Sequence, residues 1–143
     1  MTRFYLMVVV VLAAIFILLT DKAKAEEVTI VVDISDQTMM VETPTDYFKW
    51  DVSTGRKGFS TPRGIYQPYR LAKMHYSRKY DNAPMPHSIF FHGGYAIHAT
   101  DAINKLGRPA SHGCIRLHPR NARWLFQLVK DYGADNTTIY IQN

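Results

Sequence analysis

The sequence predicts a mostly β fold of the α+β kind, with one substantial helix near the C-terminus. Two observations predict it. Apolar side chains recur at a period of two in several short stretches, the first from Val28 to Ile34. A single stretch, Pro119 to Tyr132, instead places Ala122, Leu125, Phe126 and Val129 at helical spacing. Neither internal repeats nor low-complexity tracts interrupt the chain, and nothing in it marks a second domain.

Val28, Ile30, Val32 and Ile34 share one face of the first strand. Ser35-Asp36-Gln37 reads as a turn, and Thr38 to Glu42 returns as the second arm of a hairpin. After the turn Thr43-Pro44-Thr45-Asp46, Phe48, Trp50 and Val52 alternate with Lys49, Asp51 and Ser53 in a third strand. Trp50 is expected in the core. Ser53 to Gly64, rich in Gly, Ser, Thr and Pro, reads as a loop. Leu71 to Pro86 shows no clear period and reads as a long polar and aromatic loop, of the kind that serves as a lid or as a plain surface connection. Tyr80 and Met85 within it are candidate substrate contacts, whereas His75 and His87 read as solvated or hydrogen-bonded. Ser88 to His92 and Tyr95 to His98 are strands around a Gly93-Gly94 bend, with Ala96 and His98 on the face opposite Tyr95 and Ile97. Asp101 to Leu106 reads as a short helical turn closed by Gly107. Pro119 suits a first helical position and Gly133 a helix stop, and Thr137 to Ile141 forms the last strand.

The N-terminus reads differently. Arg3 precedes a sixteen-residue apolar run, Phe4 to Leu19, and Ala23-Lys24-Ala25 follows it. This is the pattern of a secretory signal peptide cleaved after Ala25, with an uncleaved anchor as the alternative. Residues 1–25 are thus expected to be the signal and 26–143 the working domain, destined for the periplasm or cell envelope. The whole chain carries a formal charge of +5. The signal holds Arg3, Lys22 and Lys24 against Asp21, so the mature domain keeps a mild excess, too small to argue for nucleic acid. The single cysteine excludes an internal disulfide, and in an exported protein it flags a reactive thiol or an intermolecular bridge.

That cysteine sits in Ser111-His112-Gly113-Cys114-Ile115-Arg116-Leu117, sixteen residues after His98 in Ile97-His98-Ala99-Thr100. A thiol attacks carbonyls as the thiolate, so it needs an imidazole to take its proton and donors for the oxyanion that follows. His98 is the candidate base and Cys114 the candidate nucleophile. The backbone N–H groups of His112, Gly113 and Cys114 are candidate oxyanion donors, and Gly113 permits a tight turn and close approach of a substrate.

These two segments, in this order, resemble the L,D-transpeptidase catalytic domain, also called the YkuD domain. The resemblance runs from about Val28 to the C-terminus and takes in Ser53-Thr54-Gly55, Thr61-Pro62-Arg63-Gly64 and Met85-Pro86-His87-Ser88-Ile89-Phe90-Phe91. It implies a β-sandwich or curled mixed sheet and a peptidoglycan-modifying enzyme without cofactor or metal. Cys114 would form a thioester with a donor tetrapeptide stem and release D-alanine. The acyl group would then pass to an amine, giving a 3→3 cross-link or a tether to an envelope protein. The carbonyl of Ala99, where the family usually has glycine, would orient His98. His112 would shape the oxyanion loop, Ser111 would fix it, and Arg116 would pair with a substrate carboxylate. A monomer is expected. Four readings compete with this one: a zinc site from His98, His112, Cys114 and His118; a hydrolysing wall peptidase; an L,D-carboxypeptidase on the same fold; and a non-catalytic peptidoglycan-binding module. The zinc reading lacks paired ligand spacing.

Overall fold

The computed structural model describes residues 27–143. The expected signal peptide lies outside them. The described chain runs β1 (Val28–Asp33), β2 (Thr38–Glu42), β3 (Tyr47–Asp51), β4 (Gly64–Tyr66), β5 (Arg70–Ser77), β6 (Ala83–His92), β7 (Tyr95–Ala99), β8 (Ile115–Leu117), α1 (Pro119–Tyr132) and β9 (Thr137–Gln142). A 3-10 turn over Ile103–Lys105 follows β7, where the helical turn was expected. Two mixed sheets result, one in the order β3-β2-β1-β9-β4 and one in the order β5-β6-β7-β8. The fold is mostly β with a single α-helix among the described residues. No helix there is long and apolar enough to cross a membrane.

The period-two pattern has a plain cause. Val28, Ile30 and Val32 are fully buried, and the parallel register sets Ile30 beside Ile139 and Val32 beside Ile141. From the other sheet, Ile89, Phe91, Ile97, Ala99, Ile115 and Leu117 reach the same core. The helix α1 packs on β6 and β7 through Ala122, Leu125 and Val129. Pro119 occupies its first turn, and the Gly133 N–H closes it on the Val129 carbonyl at 2.9 Å. Trp50 is core-associated: Phe48, Trp50 and Trp124 form one aromatic group, with Phe48 and Trp124 centroids 4.4 Å apart.

One expectation is corrected. Leu71 to Pro86 is not a loop: β5 and β6 pair as a long antiparallel hairpin, with His75 opposite Met85 and Tyr76 opposite Pro84. Only Arg78 to Asn82 turn, with Asp81 and Asn82 at positive φ. The pattern is hidden because β6 between Ala83 and Ser88 pairs with β5 alone. Pro84 and Pro86 are tolerated there, where one side of the strand needs no donor. The strand expected at Ser88 therefore begins five residues earlier.

Leu125 is fully buried in the main core. Leu125→Ala should lower unfolding free energy by about 2–5 kcal/mol, while Tyr140→Ser, at an exposed position, should stay within about 0.5 kcal/mol, both read by urea denaturation.

Candidate active site

The site is built where β7 and β8 lie side by side. Their parallel register pairs Ile97 with Ile115, His98 with Arg116 and Ala99 with Leu117. Ile97, Ala99, Ile115 and Leu117 point into the core, so alternation turns His98 and Arg116 to the opposite face. Cys114, one residue before β8, faces that side too and packs against Met85, Phe90 and Ala96.

His98 is only 6 % exposed. Its Nδ1–H donates to the Ala99 carbonyl at 2.7 Å, which leaves Nε2 as the lone-pair nitrogen. Burial lowers its pKa to about 4; the Ala99 bond opposes this shift, and Arg116 and His75 add to it. At neutral pH the imidazole is therefore uncharged and can accept a proton. Burial also pushes the Cys114 thiol up, against smaller opposing effects of the Ala96 amide and Arg116. The thiol points to the Gly94 carbonyl at 3.9 Å. The resting pair is neutral thiol and neutral imidazole, not thiolate and imidazolium.

The loop before Cys114 is held rigidly. Ser111 is fully buried; its Oγ donates to the Cys114 carbonyl at 2.6 Å and accepts from the Gly113 N–H at 2.9 Å. Its hydroxyl is committed to the loop and has no donor left for a ligand. The Gly113 amide is likewise engaged, so the oxyanion donors narrow to His112 and Cys114, whose amides have no protein acceptor among the described residues. Gly113 has φ +113, and a Cβ there would lie 2.5 Å from the Tyr95 ring, so only glycine fits.

Around this centre, Arg56 donates to His112 Nε2 at 2.9 Å, and the Tyr80 ring stacks on His112 at 4.2 Å. Phe59 meets the same imidazole edge-on at 4.8 Å. Burial and the neighbouring Arg56 lower the His112 pKa. Arg116 is half-buried, with the Cys114 thiol and the Arg56 guanidinium as neighbours, and makes a long 3.5 Å contact to the Ala110 carbonyl. Two clefts, each about 430 Å³, meet at Cys114. The first is lined by His98, Thr100, Asp101 and Arg116 among others, the second by Arg70, His75, Arg78 and Lys79. Tyr80, Met85, Gly94 and His112 line both.

The chain matches the model of the L,D-transpeptidase catalytic domain (YkuD) over residues 27–141. It belongs to that family. An L,D-transpeptidase from Mycobacterium smegmatis superimposes with a TM-score of 0.71 at 26% identity, over 82% of this chain and 59% of that one. An L,D-transpeptidase from Stackebrandtia nassauensis gives 0.68 at 25% identity, over 85% and 60%. L,D-transpeptidase 3 from Mycobacterium tuberculosis, solved in complex with a faropenem-derived adduct, gives 0.70 at 20% identity, over 82% and 61%. The chain thus spans about three-fifths of the length of these proteins. No curated protein sequence matches it.

In this L,D-transpeptidase-family domain, Cys114, His98, His112, Arg116, Tyr80 and Met85 all line one cleft, and the Ala99 carbonyl holds the imidazole. Alanine is accommodated at position 99 because it ends β7 without a positive φ. His118 lies apart, accepting from the Arg120 amide at the start of α1. Among the described residues no three of His, Cys, Asp or Glu gather as a metal-binding set.

Sequence reasoning placed Thr61 in a motif but gave it no role; its Oγ1 accepts from the Gly55 N–H and donates to the Gly113 carbonyl, both at 2.9 Å. It missed Gln37, whose buried amide braces Thr54 from the β1–β2 turn through Nε2 to Thr54 Oγ1 and Thr54 N–H to Oε1. Thr54 in turn accepts from the Ala110 and Ser111 amides. It also missed Arg56, whose only sequence signal was its place in a Gly- and Ser-rich loop.

Because burial raises Cys114 and lowers His98, iodoacetamide labelling of Cys114 should climb in one step centred above the ordinary thiol value of 9.0. A labelling plateau between about pH 5 and 8, followed by peptide mass spectrometry, would instead show a preformed thiolate–imidazolium pair.

Proposed function

We propose that the protein is a peptidoglycan L,D-transpeptidase working in the cell envelope after export by its N-terminal segment. The observation that carries the reading is the meeting of two clefts at the one sulfur, beside a buried neutral imidazole. A hydrolase needs one substrate channel, whereas a transferase must bring two chains to the same atom in turn.

The donor is a tetrapeptide stem whose scissile bond joins the L-centre of diaminopimelate to D-alanine. His98 Nε2 removes the Cys114 proton as sulfur attacks that carbonyl, since a thiol held neutral by burial needs a base at the moment of attack. The oxyanion forms against the His112 and Cys114 amides, with Arg116 adding positive charge nearby. On collapse, imidazolium His98 returns the proton to the departing amine. D-Alanine leaves, and a thioester remains on Cys114. An acceptor amine then attacks the thioester, His98 takes its proton, and the sulfur departs and is reprotonated. The product is an amide and the free thiol.

Arg116 suits the carboxylate that neighbours the reacting amine, because its guanidinium faces the cleft without an acidic partner among the described residues. D-Alanine and the distal centre of diaminopimelate both carry an amine and a carboxylate on one carbon, so one arginine serves leaving group and acceptor. The acceptor is a second stem peptide or an envelope-protein amine, and the enzyme acts as a monomer.

Incubated with purified disaccharide-tetrapeptide, the protein should gain the mass of the donor less D-alanine and then yield dimeric muropeptide; Cys114→Ala should do neither. Folded wild-type protein that shows no adduct and no D-alanine release rules the reading out. The faropenem adduct of the M. tuberculosis relative supports a second test. A penem or carbapenem should add one drug mass to the wild type and none to Cys114→Ala.

A further inference from the structure

The two clefts differ in charge. The second is lined by Arg70, Arg78 and Lys79 with His75 and His112, and by no acidic residue among those described. Arg70 is held in place by stacking its guanidinium 3.8 Å from the Phe90 centroid, and Lys79 sits 5.4 Å from the Tyr80 ring centroid. The first cleft is lined by one acidic residue, Asp101, and one arginine, Arg116, which do not pair, and by apolar residues that include Met74, Pro84 and Pro86.

The position of His98 decides which part of the substrates occupies which cleft. Every amine in the reaction exchanges its proton with that imidazole, first the departing D-alanine and then the acceptor. His98 opens on the first cleft beside Thr100 and Arg116. The amine partners therefore enter and leave by the first cleft. The acyl chain that remains bonded to Cys114 extends into the second. In a tetrapeptide donor that acyl portion keeps two carboxylates after D-alanine has gone, the α-carboxylate of its γ-linked glutamate and the distal carboxylate of diaminopimelate.

We infer that the cationic cleft formed by Arg70, Arg78 and Lys79 selects donor stems whose glutamate and diaminopimelate carboxylates are free, and discriminates against stems in which these groups are amidated. The inference rests on the transpeptidase reading and deepens it. An amide has no charge, cannot accept a guanidinium fork at both atoms and brings two donors into a cleft already rich in donors. Arg78 and Lys79 lie on the exposed turn between β5 and β6, so they add charge to the cleft without supporting the core.

The test compares two synthetic donors, one with both carboxylates free and one with both as carboxamides, by the rate at which each acylates Cys114 in intact-mass time courses. At low salt the free-acid donor should react about tenfold faster, the scale of two solvent-accessible charge contacts. Raising salt to about 0.5 M should shrink the ratio, since exposed charges are screened. In Arg78→Gln/Lys79→Gln the ratio should fall towards one, and because it is taken within a single protein, partial unfolding does not change it. Equal rates for the two donors in the wild type, or a faster diamide, overturn the inference and leave the transpeptidase reading standing. Failure of both donors to acylate folded wild type overturns that reading and the inference with it.

Discussion

The parallel register of β7 on β8 is the constraint on which the site depends. It is set from the core side, where Ile97, Ala99, Ile115 and Leu117 are buried. A slip by one residue would drive His98 and Arg116 into that core and expose four apolar side chains. The hydrophobic effect on one face thus fixes His98 and Arg116 on the other. The far edge of β8 is held as well, because Ser53 exchanges both backbone bonds with Arg116, N–H to carbonyl at 3.0 Å and 2.9 Å. Cys114 therefore enters from a strand anchored on both sides. Gln37 extends this anchoring to the larger sheet through Thr54.

Burial sets the chemistry of the pair as firmly as register sets its position. An exposed histidine at this place would be a stronger base but partly protonated near neutral pH. Here desolvation outweighs the Ala99 hydrogen bond, and the imidazole stays neutral. The same desolvation keeps the thiol protonated, although Arg116 and the Ala96 amide favour the thiolate. Those two favourable influences are not idle. They act on any thiolate that forms at Cys114, so they lower its cost relative to the resting thiol.

The parts of this fold legible in the sequence are those whose physics is local. β1 alternates because one face is wholly buried, and α1 is bounded by Pro119 and Gly133, residues that act where they stand. That Cys114 and His98 face one cleft was legible from residue type and from Gly113 beside the thiol. β5 and β6 were not, since prolines and an unpaired edge blurred their alternation. The bracing roles of Gln37 and Thr61 were invisible for another reason. Each is an ordinary polar residue in a turn or loop, and its role comes from partners at Thr54 and Gly113 that only the folded chain brings near. Arg70, Arg78 and Lys79 belong to no motif, and only the hairpin sets them along one cleft.

The hairpin also bears on the rigidity of the site. A flexible flap would lose conformational entropy each time it ordered. β5 and β6 are instead paired along most of their length, and their turn reaches the site through one stacked contact, Tyr80 on His112. His112 is itself held by Arg56 and Phe59, so the hairpin tip, the oxyanion loop and the Gly-rich loop converge on a single imidazole. Tyr80 stands between the clefts and lines both. The wall between the two clefts is therefore fastened to the loop that carries Cys114. Both clefts are thereby kept in alignment on Cys114.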